Sequence, residues 1–291
     1  MKRYIPIILL LTAIGGGTAK AQLNPLKSQY FQNEYLVNPA MAGNHGRPEV
    51  FVNYSNQWNK IDGAPVLGSI SASMPINDKA SFGANIISDK SGLIRKTQAM
   101  GSFSYKVPFA EDHALRFGVS LSWSQDRLDY GLATSSGIND TELAGYNNRE
   151  NYLDGNLGIT YQYRKLEAQF SYLNLNQKRY SDISTVDYAT FYSSLSYKIR
   201  FDDSFGVKPM LSYRGIKNYE NQWDVAAEWN ADQLRFYTMY HSNRSITGGM
   251  GYLDRSGLFV SALYNSEPNT IRGFSGGIFD VVVGYRFGSR K

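Results

Sequence analysis

At 291 residues the chain is long enough for one large β domain or two ordinary ones. Its formal net charge of +5 is scattered without a Lys/Arg run, which argues against a nucleic-acid partner. With 22 tyrosines, 27 glycines and no cysteine, it is aromatic-rich, and any zinc site would have to draw carboxylates from distant positions.

The first residues read as an export signal. Lys2 and Arg3 precede an apolar run over 4–14, small residues follow, and Ala19-Lys20-Ala21 gives an A-x-A cleavage site before Gln22. The run is too short to anchor the chain across a bilayer, so residues 1–21 are expected to be removed. No later stretch has the length of an apolar transmembrane helix, so any membrane span must be built from strands. Residues 22–48 are irregular, with breakers at Asn38-Pro39 and Gly46-Arg47-Pro48. A short helix over 26–30 and a loop are expected there, placed in a barrel lumen or on its periplasmic rim.

From residue 49 to 291 the pattern is of period two. The clearest case is the hairpin 153–172, where Leu153, Leu157, Ile159 and Tyr161 alternate with Asp154, Asn156, Thr160 and Gln162. After the turn Arg164-Lys165, Leu166, Ala168, Phe170 and Tyr172 alternate with Glu167, Gln169 and Ser171. Similar segments recur from Val50 to Phe287, with 234–241 and 245–253 less clean. They number about 14, each near the length a tilted strand needs to cross hydrocarbon.

The connections distinguish a barrel from a sandwich. Tight turns at 76–79, 110–113, 164–165, 202–204, 230–233 and 254–257 alternate with longer connections at 59–65, 89–96, 127–151, 175–188, 217–221 and 266–277. Only 242–244 breaks the rule. Short turns at one end and long loops at the other are the pattern of an outer-membrane barrel, with the long side extracellular. Arg116, Lys198, Lys208 and Arg214 fall within strands, all in phase with the polar face. Facing lipid at mid-membrane each would cost about 2–4 kcal/mol, so they are expected to point into the lumen. The expected fold is therefore all-β, a single antiparallel transmembrane barrel closed by the strand ending Gly284-Tyr285-Arg286-Phe287, with Trp58, Trp123, Trp223 and Trp229 in its interfacial girdles.

Little in the sequence points to chemistry. His45, His113 and His241 fall in a loop, a turn and a strand, without metal-ligand spacing. No G-x-S-x-G elbow accompanies His241. The run Gly248-Gly249-Met250-Gly251 lacks the lysine and helix of a phosphate loop and reads as a strand of small residues where the wall is thin or is packed closely by something within. Asp140, Glu142 and Glu150 show no calcium-ligand register. No catalytic, cofactor or metal site is expected.

The segment Asn38-Pro39-Ala40-Met41-Ala42-Gly43, followed by Gln57-Trp58 and Gly63-Ala64-Pro65, resembles the PorP/SprF family of type IX secretion. The likeness runs from Gln22 to the 284–287 end. It implies an integral outer-membrane barrel of a Gram-negative bacterium that helps export, or anchors, a secreted surface protein such as a large adhesin, with a part in gliding where the adhesin is motile. It also implies other type IX components as partners. Asn38, Pro39, Gly43, Gln57, Trp58, Gly63 and Pro65 are then the candidate partner-contacting or loop-shaping residues. The alternative is a diffusion channel or transporter for small solutes, since a barrel of this strand number holds a pore if unplugged.

Overall fold

A computed structural model describes residues 28–58, 63–128, 151–176, 190–216, 221–267 and 276–288. The strands are β1 (Glu49–Gln57), β2 (Val66–Pro75), β3 (Ala80–Ser91), β4 (Ile94–Ala110), β5 (His113–Leu128), β6 (Tyr152–Tyr163), β7 (Leu166–Leu173) and β8 (Thr190–Tyr197). They continue with β9 (Ile199–Arg200), β10 (Phe205–Ile216), β11 (Gln222–Ala231), β12 (Leu234–His241), β13 (Ile246–Leu253), β14 (Leu258–Asn265) and β15 (Ile278–Arg286). Neighbours in sequence pair antiparallel, β10 joins β8 to β11, and β15 returns to β1 from Glu49↔Arg286 to Gln57↔Ile278. The result is a closed barrel of fourteen strands, with the two-residue β9 as an extra rung on β10. Closure leaves no unpaired sheet edge for lipid to face. Among the described residues no helix is long and apolar enough to cross a membrane.

The alternation read from the sequence is the alternation of the wall. Outward positions carry Val52, Ile70, Phe82, Leu121, Leu157, Leu211 and Val283, and Leu121 is 63% exposed. Inward positions carry Asn53, Ser71, Asn85, Ser104, Ser122 and Gln169, all buried. Apolar side chains out and polar ones in is the arrangement that lipid, not water, stabilises. Arg116 and Arg214 are buried inside, and Lys208 meets Glu34 there. Lys198 differs from expectation: it lies just past β8, exposed at the mouth, because the ladder breaks between β8 and β9. A Leu121→Lys variant is expected to lose about 2–4 kcal/mol of folding free energy relative to Leu121→Ala, read by denaturant titration in lipid vesicles.

The inner face is not polar throughout. Phe51, Tyr192, Met210, Tyr237, Met239, Phe259, Leu263 and Val282 point inward and pack with Tyr30, Phe31 and Val37. These inward apolar residues blur the pattern over 234–253, although β12 alternates without a break.

One end of the barrel has short turns throughout. At the other, 89–96 is no loop: β3 and β4 pair as far as Ser91↔Ile94, and Gly92 (φ 59°) makes the turn with Leu93. Its charged residues (Asp89, Lys90, Arg95, Lys96) sit on strands rather than in an irregular segment. In the short turns Asp202 accepts from the backbone N–H of Ser204 (2.8 Å) and Phe205 (2.7 Å). The Ser204 hydroxyl and these N–H groups hold the Asp202 carboxyl below the usual carboxylate range. Aromatic rings line this end outside: Phe201 on Phe205 (5.5 Å), Phe205 on Trp229 (6.4 Å) and Tyr285 on Phe287 (4.8 Å). His113 is the first residue of β5 rather than part of a turn, stacked 4.2 Å from Tyr163.

The signal-sequence reading of 1–21, the acidic residues at 140, 142 and 150, and most of the loops 127–151 and 175–188 lie outside the described residues.

Candidate functional site

The feature that sets this barrel apart lies within it. Residues 28–44 make three single 3-10 turns, Gln29–Phe31, Glu34–Leu36 and Pro39–Met41, where a helix over 26–30 was expected; 26 and 27 are not described. Apart from Gln32, Glu34 and Asn44, which are partly covered, residues 28–44 are buried.

Their bonds reach most of the wall. Ser28 Oγ donates to Asp280 on β15 (2.5 Å), and Asn33 Nδ2 donates to Ser71 on β2 (2.8 Å). Tyr35 OH pairs with Ser102 on β4 (2.9 Å), Ser171 on β7 donates to Val37 O (2.5 Å), and Glu34 is held by Lys208 on β10. A segment tied to this many strands has no single hinge about which to leave.

The Asn38 to Gly43 motif is explained residue by residue. Asn38 Oδ1 caps its own turn by accepting from Ala40 N (3.0 Å), while Nδ2 donates to Thr160 (3.2 Å) and Gln169 (3.1 Å). Pro39 takes the first position of the turn, where no N–H is missed. Gly118 and Gly158 face each other on β5 and β6, and a Cβ at either would occupy the space of Asn38, Pro39 and Ala40. The pair forms a notch into which the motif is set. Gly83 plays the same part for Tyr35, whose ring a Cβ there would meet at 2.6 Å. Ala42 O accepts from Ser104 (2.8 Å), and Gly43 turns the chain at φ 65° beside Ser81. Replacing Asn38 by Ala strands Thr160 and Gln169; about 1–3 kcal/mol of stability is expected to be lost in thermal unfolding.

The other candidate residues gather elsewhere, at the long-loop rim. Gln57 N donates to Pro65 O (2.9 Å), closing the base of the β1–β2 loop. Trp58, at φ 54°, donates its N–H to Gly277 O (2.8 Å), and Gly63, at φ 72°, receives the N–H of Gly92 (2.9 Å). These backbone bonds tie three neighbouring connections into one collar. The structure thus forms two groups from the candidates: Asn38, Pro39 and Gly43 inside, Gln57, Trp58, Gly63 and Pro65 at the rim.

A third cluster escaped the sequence reading. Asp224 on β11 accepts from Arg214 (2.6 Å), His241 Nδ1 (2.6 Å), Tyr30 OH (2.7 Å) and Ser212 (3.1 Å). The Arg214 guanidinium also lies 4.8 Å over the Tyr30 ring. A tight hairpin puts Asp224 opposite His241, and that symmetry is the signal that could have found the pair. His241 Nε2 reaches Thr247 Oγ1 (2.7 Å), giving a carboxylate–imidazole–hydroxyl order, but Thr247 is 0% exposed and no substrate carbonyl can approach it. The cluster is an anchor for Tyr30. The Gly248-Gly249-Met250-Gly251 run packs against wall residues, with Leu263 beside Gly249 and Tyr237 beside Gly251.

Residues 19–285 match the family described as "Type IX secretion system membrane protein PorP/SprF". No curated protein matches the sequence. Among solved structures, the CymD monoaromatic hydrocarbon channel is similar at TM-score 0.55 and 14% identity, covering 96% of each chain. The Acinetobacter baumannii outer membrane protein Omp33 is similar at TM-score 0.50 and 8% identity, covering 83% of this chain and 98% of that one. At such identities the likeness is one of fold.

Proposed function

Since the chain belongs to the PorP/SprF family of type IX secretion system membrane proteins, and so to the outer membrane, we propose that it is a nonenzymatic, internally plugged barrel that helps export, or holds at the cell surface, a secreted protein such as a large adhesin. The observation that carries this reading is the filled lumen. Residues 28–44 cross the interior and bond to β2, β4, β6, β7, β10, β11 and β15, leaving the wall and its loops as the parts free to work. In this reading residues 1–21 are the export signal, the short turns face the periplasm, and the long loops face outward as the contact surface. Asn38, Pro39 and Gly43 seat the plug; Gln57, Trp58, Gly63 and Pro65 hold the outer collar in shape for a partner. Other type IX components are the partners on the periplasmic side.

A channel for small solutes is the competing reading, and the printed name of CymD speaks for it. The packing of Tyr30, Phe31 and Val37 against inward wall residues counts against it, because a diffusion path needs water where these side chains lie. Deleting the chain in its native cell and shaving surface proteins with protease tests the proposal. The expected result is that one large surface protein is missing from the shaved set and accumulates in the periplasm or medium. An unchanged surface set would refute the export role.

A further inference from the structure

The short-turn mouth of the lumen opens into a cavity of ≈ 720 Å³ whose charges are distributed unevenly. On one side Lys208 has Glu34, Arg235 lies 3.6 Å from Glu228, and Arg286 lies 3.3 Å from Glu49, while Arg200 is exposed at the edge. On the other side, along β4, β5 and the ends of β7 and β8, the cations Lys106, Arg116, Lys165 and Lys198 have no carboxylate within 4 Å among the described residues.

Two of them form a pair that folding alone disfavours. Lys106 and Arg116 are directly opposite on β4 and β5, and like charges in that position repel. Arg116 is buried, its two hydrogen bonds (to Ala42 O and Ser104 Oγ) are both 3.4 Å long, and its Nε has no partner. Lys165 and Lys198 repeat the arrangement, joined by the bond from Lys198 N to Lys165 O (2.9 Å). One buried carboxylate, Glu167, lies among them; it accepts from Gln162 (2.8 Å) and Gln169 (2.9 Å), and its one charge is shared among Arg116, Lys198 and Lys208. The acids Asp202 and Asp203 belong to the turn that follows Lys198, and Asp202 is bound to its own turn. A buried, weakly satisfied guanidinium with three further cations beside it, one half-buried and two exposed, calls for an anion.

A second observation says which kind. Gln32, on the plug, lines the same cavity, and both its amide nitrogen and its amide oxygen are buried without a partner. A free side-chain amide is the complement of a peptide group.

We propose that the short-turn mouth is a binding site for an acidic polypeptide segment, which sets its carboxylates on Lys106, Arg116, Lys165 and Lys198 and a backbone amide on Gln32. The inference rests on the reading that the barrel serves a polypeptide partner, and it adds where that partner, or a component acting with it, engages the barrel from the plugged end.

The test uses the purified full-length barrel in detergent and a fluorescent peptide of alternating Glu and Ser, followed by anisotropy. Binding is expected, weakening as salt rises, and absent for the matching Gln-Ser peptide. Lys165→Gln with Lys198→Gln, both exposed and not needed for folding, is expected to weaken it about tenfold, and Arg116→Gln further. Arg255→Gln, in a turn outside the cavity, is the control and should bind as the parent does. Equal binding of the Gln-Ser peptide, or no effect of the double substitution, would overturn the proposal. Displacement by inorganic phosphate at matched charge would also overturn it, reassigning the mouth to a small oxyanion. Peptide binding reads the mouth alone, whereas the deletion experiment reads export, so either can fail while the other stands.

Discussion

Replacing Gly118 with valine is expected to dislodge residues 38–40 from the lumen while leaving the barrel folded. The outer and inner ladders of β5 do not depend on this side chain, but the notch does, since a Cβ at Gly118 falls on the backbone of Pro39 and Ala40. Overpacking of this kind costs about 1–3 kcal/mol, which falls on the docking of the plug rather than on the strands. The chain has no cysteine, so a single Leu36→Cys reporter gives a clean readout; Leu36 is buried and a cysteine fits its space. Modification by a soluble maleimide is expected to quicken by about one to two orders of magnitude in the Gly118→Val background, the ratio that such an energy implies. Gly158→Val should do the same from the opposite strand. Unchanged labelling in both variants would mean that the notch does not hold the segment.

The largest single loss is expected at Asp224. Its carboxylate answers Arg214, His241, Tyr30 and Ser212 at once, so Asp224→Ala leaves a buried guanidinium without its counter-charge. Breaking a buried pair from one side costs about 3–5 kcal/mol. Replacing Arg214 by Met in the same chain removes the orphaned charge, and the double variant is expected to recover much of the loss in urea unfolding. Tyr30→Phe, which keeps the ring between Arg214 and Tyr192 and removes only the hydroxyl, should cost far less than Asp224→Ala. If Asp224→Ala unfolded at the parent's midpoint, the cluster would not be what ties Tyr30 to the wall.

The barrel was legible in the sequence because lipid and lumen impose opposite demands on alternate residues. Leu153, Leu157 and Ile159 against Asp154, Asn156 and Thr160 state both demands in one strand. The pattern fails where the interior is itself packed: Tyr237, Met239 and Leu263 point inward because Phe31 and Val37 lie there, and no local rule announces a partner about two hundred residues away in sequence. Ring contact between Phe31 and Tyr237 (6.0 Å) is an example. The Asn38 to Gly43 motif stood out as a breaker, but its seat did not, because Gly118 and Gly158 look like ordinary strand glycines until the register sets them face to face. The hairpin 89–96 is hard to tell from a loop in the sequence, since its charges, Asp89, Lys90, Arg95 and Lys96, suit a solvent-facing strand end and a loop alike. The unpaired cations at the mouth, too, appear only when the ion pairs opposite them are seen.

Electrical recording of the purified full-length chain in a planar bilayer tests most directly whether the barrel is closed by its own N-terminal segment. No steady current is expected from the parent, and a discrete, long-lived conductance from a variant lacking residues 28–44, since an emptied barrel of this strand number holds a pore. A stable open-channel current from the parent itself would contradict it.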